Sequence, residues 1–193
     1  MVFPTLLVAC APAATAPLPE AWEATSLVVE GEGWEARAAR ATLEAERATG
    51  VDVTGVVTPA SGRPPLTIDA PRTEWDLRAG ITTFSGGVSA TRGDVTLRAD
   101  TLVVRYADGG RVDRVEADGA VVVERGDRRG EGGRAVLVAS TGEITITGHP
   151  RLREGPSWLT GERIVLWLDD ERAVCEGVEG APCRLTLAGD AIR

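Results

Sequence analysis

From residue 66 onward, apolar and polar positions alternate in short segments that are separated by turn-forming residues. A period of two residues is typical of a β-strand with one buried face, whereas a helix repeats its apolar positions every three to four residues. Dipeptides such as Asp118-Gly119 and Thr141-Gly142 favour tight turns between the segments. Strands joined by tight turns form an antiparallel meander, so the pattern predicts an all-β fold. The predicted strands are Leu66–Ala70, Glu74–Arg78, Ile81–Ser85, Val88–Thr91, Asp94–Tyr106, Arg111–Ala117, Ala120–Arg125, Gly133–Ser140, Glu143–Thr147, Arg151–Arg153, Glu162–Leu168, Arg172–Cys175 and Cys183–Leu187.

Glycines recur at a nearly constant spacing within this pattern. Gly86, Gly119, Gly148 and Gly177 are separated by 33, 29 and 29 residues. A strand that bends sharply from one sheet into a facing sheet needs a residue without a Cβ atom, which glycine supplies. Ordinary hairpin turns also use glycine but do not require a fixed interval, so we interpret these four glycines as kinks. Each repeat is then a hairpin-sized unit that must stack on its neighbours to bury its apolar face.

The pattern is ambiguous between Trp22 and Thr58. Ala, Glu, Leu and Arg dominate residues 33–50, and propensity alone predicts a helix there. However, Trp34, Ala36 and Ala38 alternate with other residues as in a strand, and the apolar segments on both sides are strand-like. On these residues alone we would predict a helix.

The composition excludes several classes of chemistry. A net charge of -8 and a pI near 4.8 provide no concentrated basic face, so we do not expect a nucleic-acid partner. All 21 basic residues are arginine, and the absence of Lys and Asn excludes a Walker A loop, a Schiff base and an N-glycosylation site. Since His149 is the single histidine, a multi-histidine zinc site is impossible. We therefore predict neither a metal nor a cofactor.

The first ten residues form a short apolar segment that ends in Leu7-Val8-Ala9-Cys10. This ending resembles a bacterial lipoprotein signal, in which cleavage after Ala9 leaves Cys10 as the lipidated first residue. The alternative is an exposed apolar tail, because no positively charged residue precedes the segment. The signal predicts that residues 1–20 are a leader and linker and that residues 21–193 form the folded domain. It also predicts a periplasmic protein that is anchored to a membrane through Cys10.

Lipidation of Cys10 would leave Cys175 and Cys183 as a pair on either side of a turn-like, glycine-containing segment. An oxidising compartment would allow these two residues to form a disulfide between two strands. The alternative is a pair of buried thiols, and only the geometry decides between them.

The glycine corners and the strands between them resemble the repeating pattern of the OstA-like family, the LptA and LptC type. In that family a glycine-containing corner alternates with a strand of the form A-D-x-L or G-D-x-I. The corners here are Gly87-Val88, Gly119-Ala120-Val121 and Gly148-His149-Pro150, without the asparagine of the family pattern. The matching strands begin at Ala99-Asp100-Thr101-Leu102, Gly133-Arg134-Ala135 and Gly161-Glu162-Arg163-Ile164. Residues 66–88 and 34–41 are similar to the LptC arrangement, which favours strands over a helix in residues 33–50.

The resemblance implies a twisted antiparallel β-jelly roll, open at both ends, that carries lipopolysaccharide from the inner to the outer membrane. It implies head-to-tail strand addition with other OstA-like bridge proteins, and an inner-membrane ABC transporter complex that supplies the energy. An LptC-like role, an LptA-like role and a fusion of both remain open, because a lipobox stands where LptC has a membrane-anchoring helix. Strand alternation and the family's register predict a lipid-binding groove lined by Trp75, Phe84, Leu97, Leu102, Val104, Val121, Val123, Leu137, Ile144, Ile146, Leu152, Ile164, Leu166 and Leu168.

Two other classes of function compete with a lipid carrier. A glycoside hydrolase needs two carboxylates at a set separation, and Glu124 and Asp169-Asp170-Glu171 are the candidates, but solvated hairpin charges explain them equally well. A serine hydrolase lacks its G-x-S-x-G motif, and His149 lies at a predicted turn. We therefore predict a protein that is not an enzyme.

The second competitor is a structural β-solenoid or adhesin-like domain, which has a filled core and no cargo. The segment Ile164–Leu168 is apolar on both faces, and together with Trp158 it favours a carrier. The β-solenoid interpretation remains an alternative if Val165 and Trp167 face a neighbouring sheet.

Overall fold

The alternating pattern forms β-strands throughout the part of the chain that the structure describes. The computed structural model describes residues 21–31, 34–58, 64–76, 78–107, 111–167, 170 and 172–187. Within these ranges the chain forms fourteen strands, and the predicted all-β antiparallel fold is confirmed. The strands are β1 Ala21–Gly31, β2 Trp34–Glu44, β3 Arg47–Val57, β4 Leu66–Asp76, β5 Ile81–Arg92, β6 Val95–Tyr106, β7 Val112–Arg125, β8 Arg128–Val138, β9 Glu143–Thr147, β10 Arg151–Glu154, β11 Ser157–Thr160, β12 Arg163–Trp167, β13 Ala173–Glu176 and β14 Arg184–Thr186. None of the described segments is a helix long and apolar enough to span a membrane.

The sheet is a meander from β1 to β8 and then divides into two branches. Each of these first eight strands pairs antiparallel with the next one. Strand β8 pairs with β10 through residues 128–131 and with β9 through residues 134–138. One branch continues from β10 to β11 and β14, and the other continues from β9 to β12 and β13.

Irregularities in successive strands lie side by side and form what we call the corner line. Register shifts interrupt the pairing between Asp69 and Arg72, Ser85 and Val88, Arg98 and Thr101, and Asp118 and Val121. Backbone φ is positive at Ser26, Asp52, Gly86, Gly87, Gly119, Ala120, Gly148 and His149. Because bulges bend a strand and increase its twist, the corner line divides the sheet into two halves.

The two halves are named half-sheet A and half-sheet B from β4 onward. Half-sheet A contains residues 66–69, 88–92, 95–98, 121–125 and 128–132 with β10, β11 and β14. Half-sheet B contains residues 72–76, 81–85, 101–106, 112–118 and 134–138 with β9, β12 and β13.

The kink interpretation holds for three of the four spaced glycines. Gly86, Gly119 and Gly148 have φ values of 94°, 78° and 75° and lie on the corner line. The prediction for Gly177 is wrong, because this residue follows β13 without a left-handed φ and precedes the bridge between Val178 and Ala181. The predicted turn at Asp118-Gly119 is also wrong, since β7 continues through it as a bulge. For the same reason, several predicted strand pairs, such as Leu66–Ala70 and Glu74–Arg78, are single strands here.

Residues 34–44 and 47–50 form strands rather than a helix, as the family resemblance predicts. Strand β2 pairs with β1 on one side and with β3 on the other, and it buries Ala38 and Ala41. Together with Val53 these alanines form a small core of their own, against which Leu27, Leu43 and Trp75 pack. Sheet pairing on both edges of β2 overrides the helix propensity of its Ala, Glu and Arg residues.

Candidate functional site

The inner faces of the two half-sheets enclose one aliphatic interior. Its buried members include Ile68, Ala90 and Val123 from half-sheet A and Phe84 and Leu102 from half-sheet B. The absence of a side chain at Gly130 of half-sheet A permits a close approach of the halves. A Cβ atom there would lie 2.8 Å from Ile146 Cδ1 and 3.6 Å from Leu166 Cδ1, both on half-sheet B. The two halves therefore face each other.

Burial within this interior decreases with distance from the corner line. On half-sheet A the exposed fraction rises from 1% at Val121 to 7% at Val123. On half-sheet B it rises from 1% at Ala117 to 8% at Val115, and Val112 beyond them is only partly buried. Strand β9 follows the same order, from 0% at Ile146 to 4% at Ile144. The interior is thus closed at the corner line and accessible at the opposite side.

We call that accessible side the mouth and define it by the partly buried apolar side chains that pack on the core. They come from the ends of the strands in both half-sheets. They are Leu66, Val95 and Leu97 from half-sheet A and Tyr106, Val112, Leu137 and Leu166 from half-sheet B.

The predicted groove residues divide between the core and the mouth. Leu97, Leu137 and Leu166 lie at the mouth. Trp75 is separate and packs on the small core of β2 and β3. Leu168 lies outside the described residues. The predicted residues that are buried are Phe84, Leu102, Val104, Val121, Val123, Ile144, Ile146, Leu152 and Ile164.

The sequence prediction omitted four mouth residues: Leu66, Val95, Tyr106 and Val112. Each is the first or last residue of its strand. Extending the alternation outward would have identified three of them. Leu66 precedes the buried Ile68 by two residues, Val95 precedes the predicted Leu97 by two, and Tyr106 follows the buried Val104 by two. All four lie within predicted strands, so the prediction failed in assigning their faces and not in locating the strands.

A cleft opens at the end of the mouth that is nearest to the C-terminus. Its floor is aliphatic and includes Val95, Val123 and Leu152 from half-sheet A and Ile144 and Leu166 from half-sheet B. Its rim carries the charged groups of Arg125 and Arg128 on half-sheet A and of Asp170 and Arg172 next to half-sheet B, together with the Trp167 ring. The cleft therefore combines an apolar surface with guanidinium groups on both sides.

Three hydroxyl groups interrupt the apolar inner face of half-sheet B. Thr73 and Thr82 are buried, and Thr73 Oγ1 has no hydrogen-bond partner among the described residues. Burial raises the pKa of Tyr106, although a hydrogen bond with Thr82 opposes this effect. The tyrosine is therefore neutral at physiological pH, and the interior of this half carries no charge at these positions.

The outer faces of both half-sheets carry ion pairs between neighbouring strands. Glu124, one of the candidate catalytic carboxylates, pairs with Arg98 at 2.7 Å and with Arg129 at 2.5 Å. Hydrogen bonds from these arginines lower the pKa of Glu124, which is the reverse of what a general acid requires. Glu124 lies outside the interior and is explained by these ion pairs. Of the other candidates, Asp170 accepts a hydrogen bond from the Arg172 backbone, and Asp169 and Glu171 lie outside the described residues.

The two ends of the sheet differ in the number of edge strands. At one end, β1 has β2 as its single partner among the described strands, and Trp22 and Val28 on it are exposed. At the other end, β13 and β14 are separate edges of half-sheets B and A, with Val174 and Leu185 exposed. Unpaired backbone N–H and C=O groups on such edges can extend the sheet with a strand of another protein.

A disulfide connects the two branches where the last strands end. Cys175 of β13 and Cys183, which directly precedes β14, are joined by an S–S bond of 2.01 Å. The disulfide packs on Gly161, where the chain passes from β11 of half-sheet A to β12 of half-sheet B, and a Cβ atom at Gly161 would lie 3.0 Å from Cys183 Sγ. Cys10 lies outside the described residues.

The family model described as LptA/(LptD N-terminal domain) LPS transport protein matches residues 67–172, which run from β4 past the end of β12. Among solved structures, the chain is similar to LptH from Pseudomonas aeruginosa, the LptA homologous periplasmic component of its lipopolysaccharide transport device. The TM-score is 0.59 at 14% identity, over 65% of this chain and 96% of that one. This likeness shows the fold, a twisted antiparallel β-jelly roll. No curated protein sequence matches.

Proposed function

Since the chain belongs to the family of LptA and LptD N-terminal-domain lipopolysaccharide transport proteins, we propose that it shields lipopolysaccharide acyl chains between its two half-sheets. The chains would enter through the mouth and lie along the aliphatic inner faces. The protein would act as a carrier in a bridge between the membranes and not as an enzyme. The inner-membrane ABC transporter complex would supply the energy.

The observation that carries this proposal is the decrease of burial from the corner line to the mouth. The residues next to the corner line hold the half-sheets together and leave no space for a ligand. Apolar side chains at the mouth are partly exposed, and lipid contact there would remove them from water. Each CH₂ group of an acyl chain gains about 0.8 kcal/mol when it leaves water for an apolar surface, so a few chain carbons make binding favourable.

The unequal ends support a role in a chain of related domains. The single edge of β1 offers one row of backbone groups, and the β13 and β14 edges offer one row for each half-sheet. Strand addition by other OstA-like bridge proteins would align neighbouring half-sheets and continue the apolar interior from one domain to the next. LptA-like and LptC-like positions in such a bridge both fit this arrangement.

The proposed location is the periplasm, with residues 1–20 as signal and linker, residues 21–193 as the folded domain and Cys10 as a lipidated membrane anchor. The Leu7-Val8-Ala9-Cys10 sequence supports this proposal. Mass spectrometry of the natively expressed protein should find diacylglycerol on Cys10 and no residues before it. Cys10→Ala should release the protein from the membrane fraction, and a native protein that is soluble and retains Met1 would contradict the anchor.

Photo-crosslinking in cells that contain lipopolysaccharide tests the groove. A photoreactive amino acid at Leu97, Leu137 or Leu166 should give lipopolysaccharide adducts, because these positions lie at the mouth. The same amino acid at Arg98, Glu124 or Arg163 on the outer faces should give almost none.

The corner-line positions Leu102, Val121 and Ile146 provide a second comparison. Because these side chains are almost completely buried, adducts there should be fewer than at the mouth. A structural β-solenoid without cargo predicts no adducts at any position. Absence of adducts in a folded protein, or equal adducts at the mouth and on the outer faces, would overturn the carrier proposal.

A further inference from the structure

The cleft at the mouth has charge on its rim as well as an apolar floor. We propose that Arg125, Arg128 and Arg172 bind the anionic headgroup of the transported lipid, with phosphate groups as the preferred ligands. This inference rests on the proposed function, because it assumes that the acyl chains of the same molecule occupy the interior. It adds a specific contact for the part of the ligand that remains in water.

The placement of the guanidinium groups on both sides of the cleft carries the inference. Arg125 ends β7 and Arg128 begins β8, so both flank one turn of half-sheet A. Arg172 directly precedes β13, next to half-sheet B. All three line the same cleft, whose floor contains Val123 and Leu166. A ligand with acyl chains on that floor would bring its headgroup between the arginines.

Existing ion pairs on the rim are of the kind that a phosphate can replace. Arg125 Nε lies 3.1 Å from Asp94 Oδ2, and Arg128 lies 2.9 Å from Glu154 Oε1. The carboxylate side chains are 68% and 60% exposed, and exposed pairs contribute little to stability. A phosphate offers more negative charge and more acceptor oxygens than a carboxylate, and arginine binds it in a bidentate manner. The exchange therefore costs little and favours the lipid phosphate.

Arg172 is held in position by its neighbours. Its guanidinium carbon lies 4.0 Å from the centre of the Trp167 ring, within the range of a cation–π contact. Asp170 accepts a hydrogen bond of 3.2 Å from the Arg172 backbone N–H. Stacking on one face of the guanidinium leaves the N–H groups directed along its plane, which is the geometry that bidentate anion binding uses. Arg172 is thus fixed before a ligand arrives.

The aliphatic floor favours a lipid over a free anion as the occupant. Inorganic phosphate would interact only with the exposed arginines and would compete with water and with Asp94 and Glu154. A lipid gains from contact of its chains with Val95 and Leu152 in addition to the charge interaction. The occupant that fits the cleft is therefore an acylated sugar that carries phosphate beside its acyl chains.

The test compares two lipid probes on the full-length protein. One is lipid A with two phosphates, and the other is the same lipid A after chemical removal of both phosphates. Binding is measured as quenching of tryptophan fluorescence over a range of lipid concentrations. The wild-type protein should bind the phosphorylated probe about tenfold or more tightly than the dephosphorylated probe, since one charge-assisted contact accounts for about that factor.

The variant Arg125→Gln/Arg128→Gln should lose most of this preference while its affinity for the dephosphorylated probe stays unchanged. Arg125→Lys/Arg128→Lys should retain a part of the preference for the phosphorylated probe. This result would show that the positive charge, and not a defect in folding, determines the preference. The matched control Arg98→Gln/Arg163→Gln removes two guanidinium groups from the outer faces and should behave as wild type. Inorganic phosphate at millimolar concentration should not displace either probe.

The outcomes separate this inference from the proposed function. Equal binding of both probes by wild type would overturn the headgroup site and leave the acyl-chain groove intact. Failure of both probes to bind would overturn the groove and the headgroup site together. An unchanged preference in Arg125→Gln/Arg128→Gln, or full displacement by inorganic phosphate, would also overturn the inference.

Discussion

The corner line and the mouth belong to the same strands and use the same aliphatic residue types, yet they have different environments. Ile146 at the corner line is completely buried, whereas Leu166, on the neighbouring strand β12, is partly exposed at the mouth. The ion pairs show the same contrast. The Glu116 side chain, near the corner line, is 15% exposed among Arg105, Arg114 and Arg134. Asp94, in a turn at the mouth, is 68% exposed beside Arg125.

This difference separates stability from binding within one sheet. Bulges at the corner line bring the half-sheets together, so apolar groups there find partners within the protein. Towards the mouth the same groups are only partly buried and remain in contact with water. Substitutions at the corner line should therefore change folding, and substitutions at the mouth should change ligand binding.

The largest effect on stability is expected from a truncation beside the corner line. Ile146→Ala removes three carbons from a completely buried position and should lower the free energy of unfolding by about 2–5 kcal/mol, because a cavity remains. The matched variant Leu166→Ala, at the mouth, should lose about half as much, since its side chain is partly in water. Urea denaturation followed by circular dichroism measures both, and equal losses would contradict the contrast.

The disulfide should have the next largest effect, because it joins the half-sheets beyond the last strand that crosses between them. Cys175→Ser/Cys183→Ser should lower the free energy of unfolding by about 2–3 kcal/mol, the value for a loop with a sequence separation of 8 residues. Addition of a reducing agent to the wild-type protein should produce the same loss and should not affect the variant. Two free thiols in protein isolated from an oxidising compartment would contradict the bond.

Replacing a glycine with alanine should destabilise the protein more at the corner line than in a turn at the mouth. Gly119 and Gly126 both have positive φ, and both become strained as alanine. At Gly119 an added Cβ would also lie 2.8 Å from Asp100 Cβ, whereas nothing lies within 4 Å at Gly126. Gly119→Ala should therefore cost about 1–3 kcal/mol and Gly126→Ala about 1 kcal/mol, measured by thermal unfolding. A larger loss for Gly126→Ala would show that the bulge does not determine the fold.

The smallest effect is expected from the ion pairs. Partial burial raises the pKa of Glu116, but hydrogen bonds from Arg105 and Arg114 and the charge of Arg134 outweigh it, so the pKa lies below its ordinary value. A lowered pKa contributes stability above the ordinary value, near 4.5, and this contribution disappears as the pH falls through the lowered pKa.

Between about pH 6 and about pH 3, wild type should therefore lose more unfolding free energy than Glu116→Gln, by about 1 kcal/mol or less. Chemical denaturation at each pH measures the difference. The control Asp94→Asn, at the mouth, should leave the unfolding free energy at neutral pH unchanged. A wild-type protein that gains stability relative to Glu116→Gln on acidification would contradict the assignment.

The sequence by itself determined the strands, their antiparallel order and which faces are apolar. Alternation with a period of two is a local property, and together with the register of the OstA-like family it predicted that Leu102, Val121 and Ile146 lie on the inside. Glycine spacing indicated Gly86, Gly119 and Gly148 as positions of bending, because each needs a backbone conformation that other residues rarely adopt. Propensity failed in residues 33–50, where only the family resemblance favoured strands.

Only the tertiary structure decided which inner residues are core and which lie at the mouth. Alternation assigns Leu102 and Leu166 to the same class, but their burial depends on the distance between half-sheets, which long-range pairing across the bulges determines. The division of the sheet at β8, the placement of Arg125, Arg128 and Arg172 around one cleft, and the joining of Cys175 to Cys183 likewise depend on contacts between residues distant in sequence. The period of apolar positions in the sequence identifies the apolar face of each strand. The arrangement of the two facing half-sheets determines whether that face contacts protein or solvent.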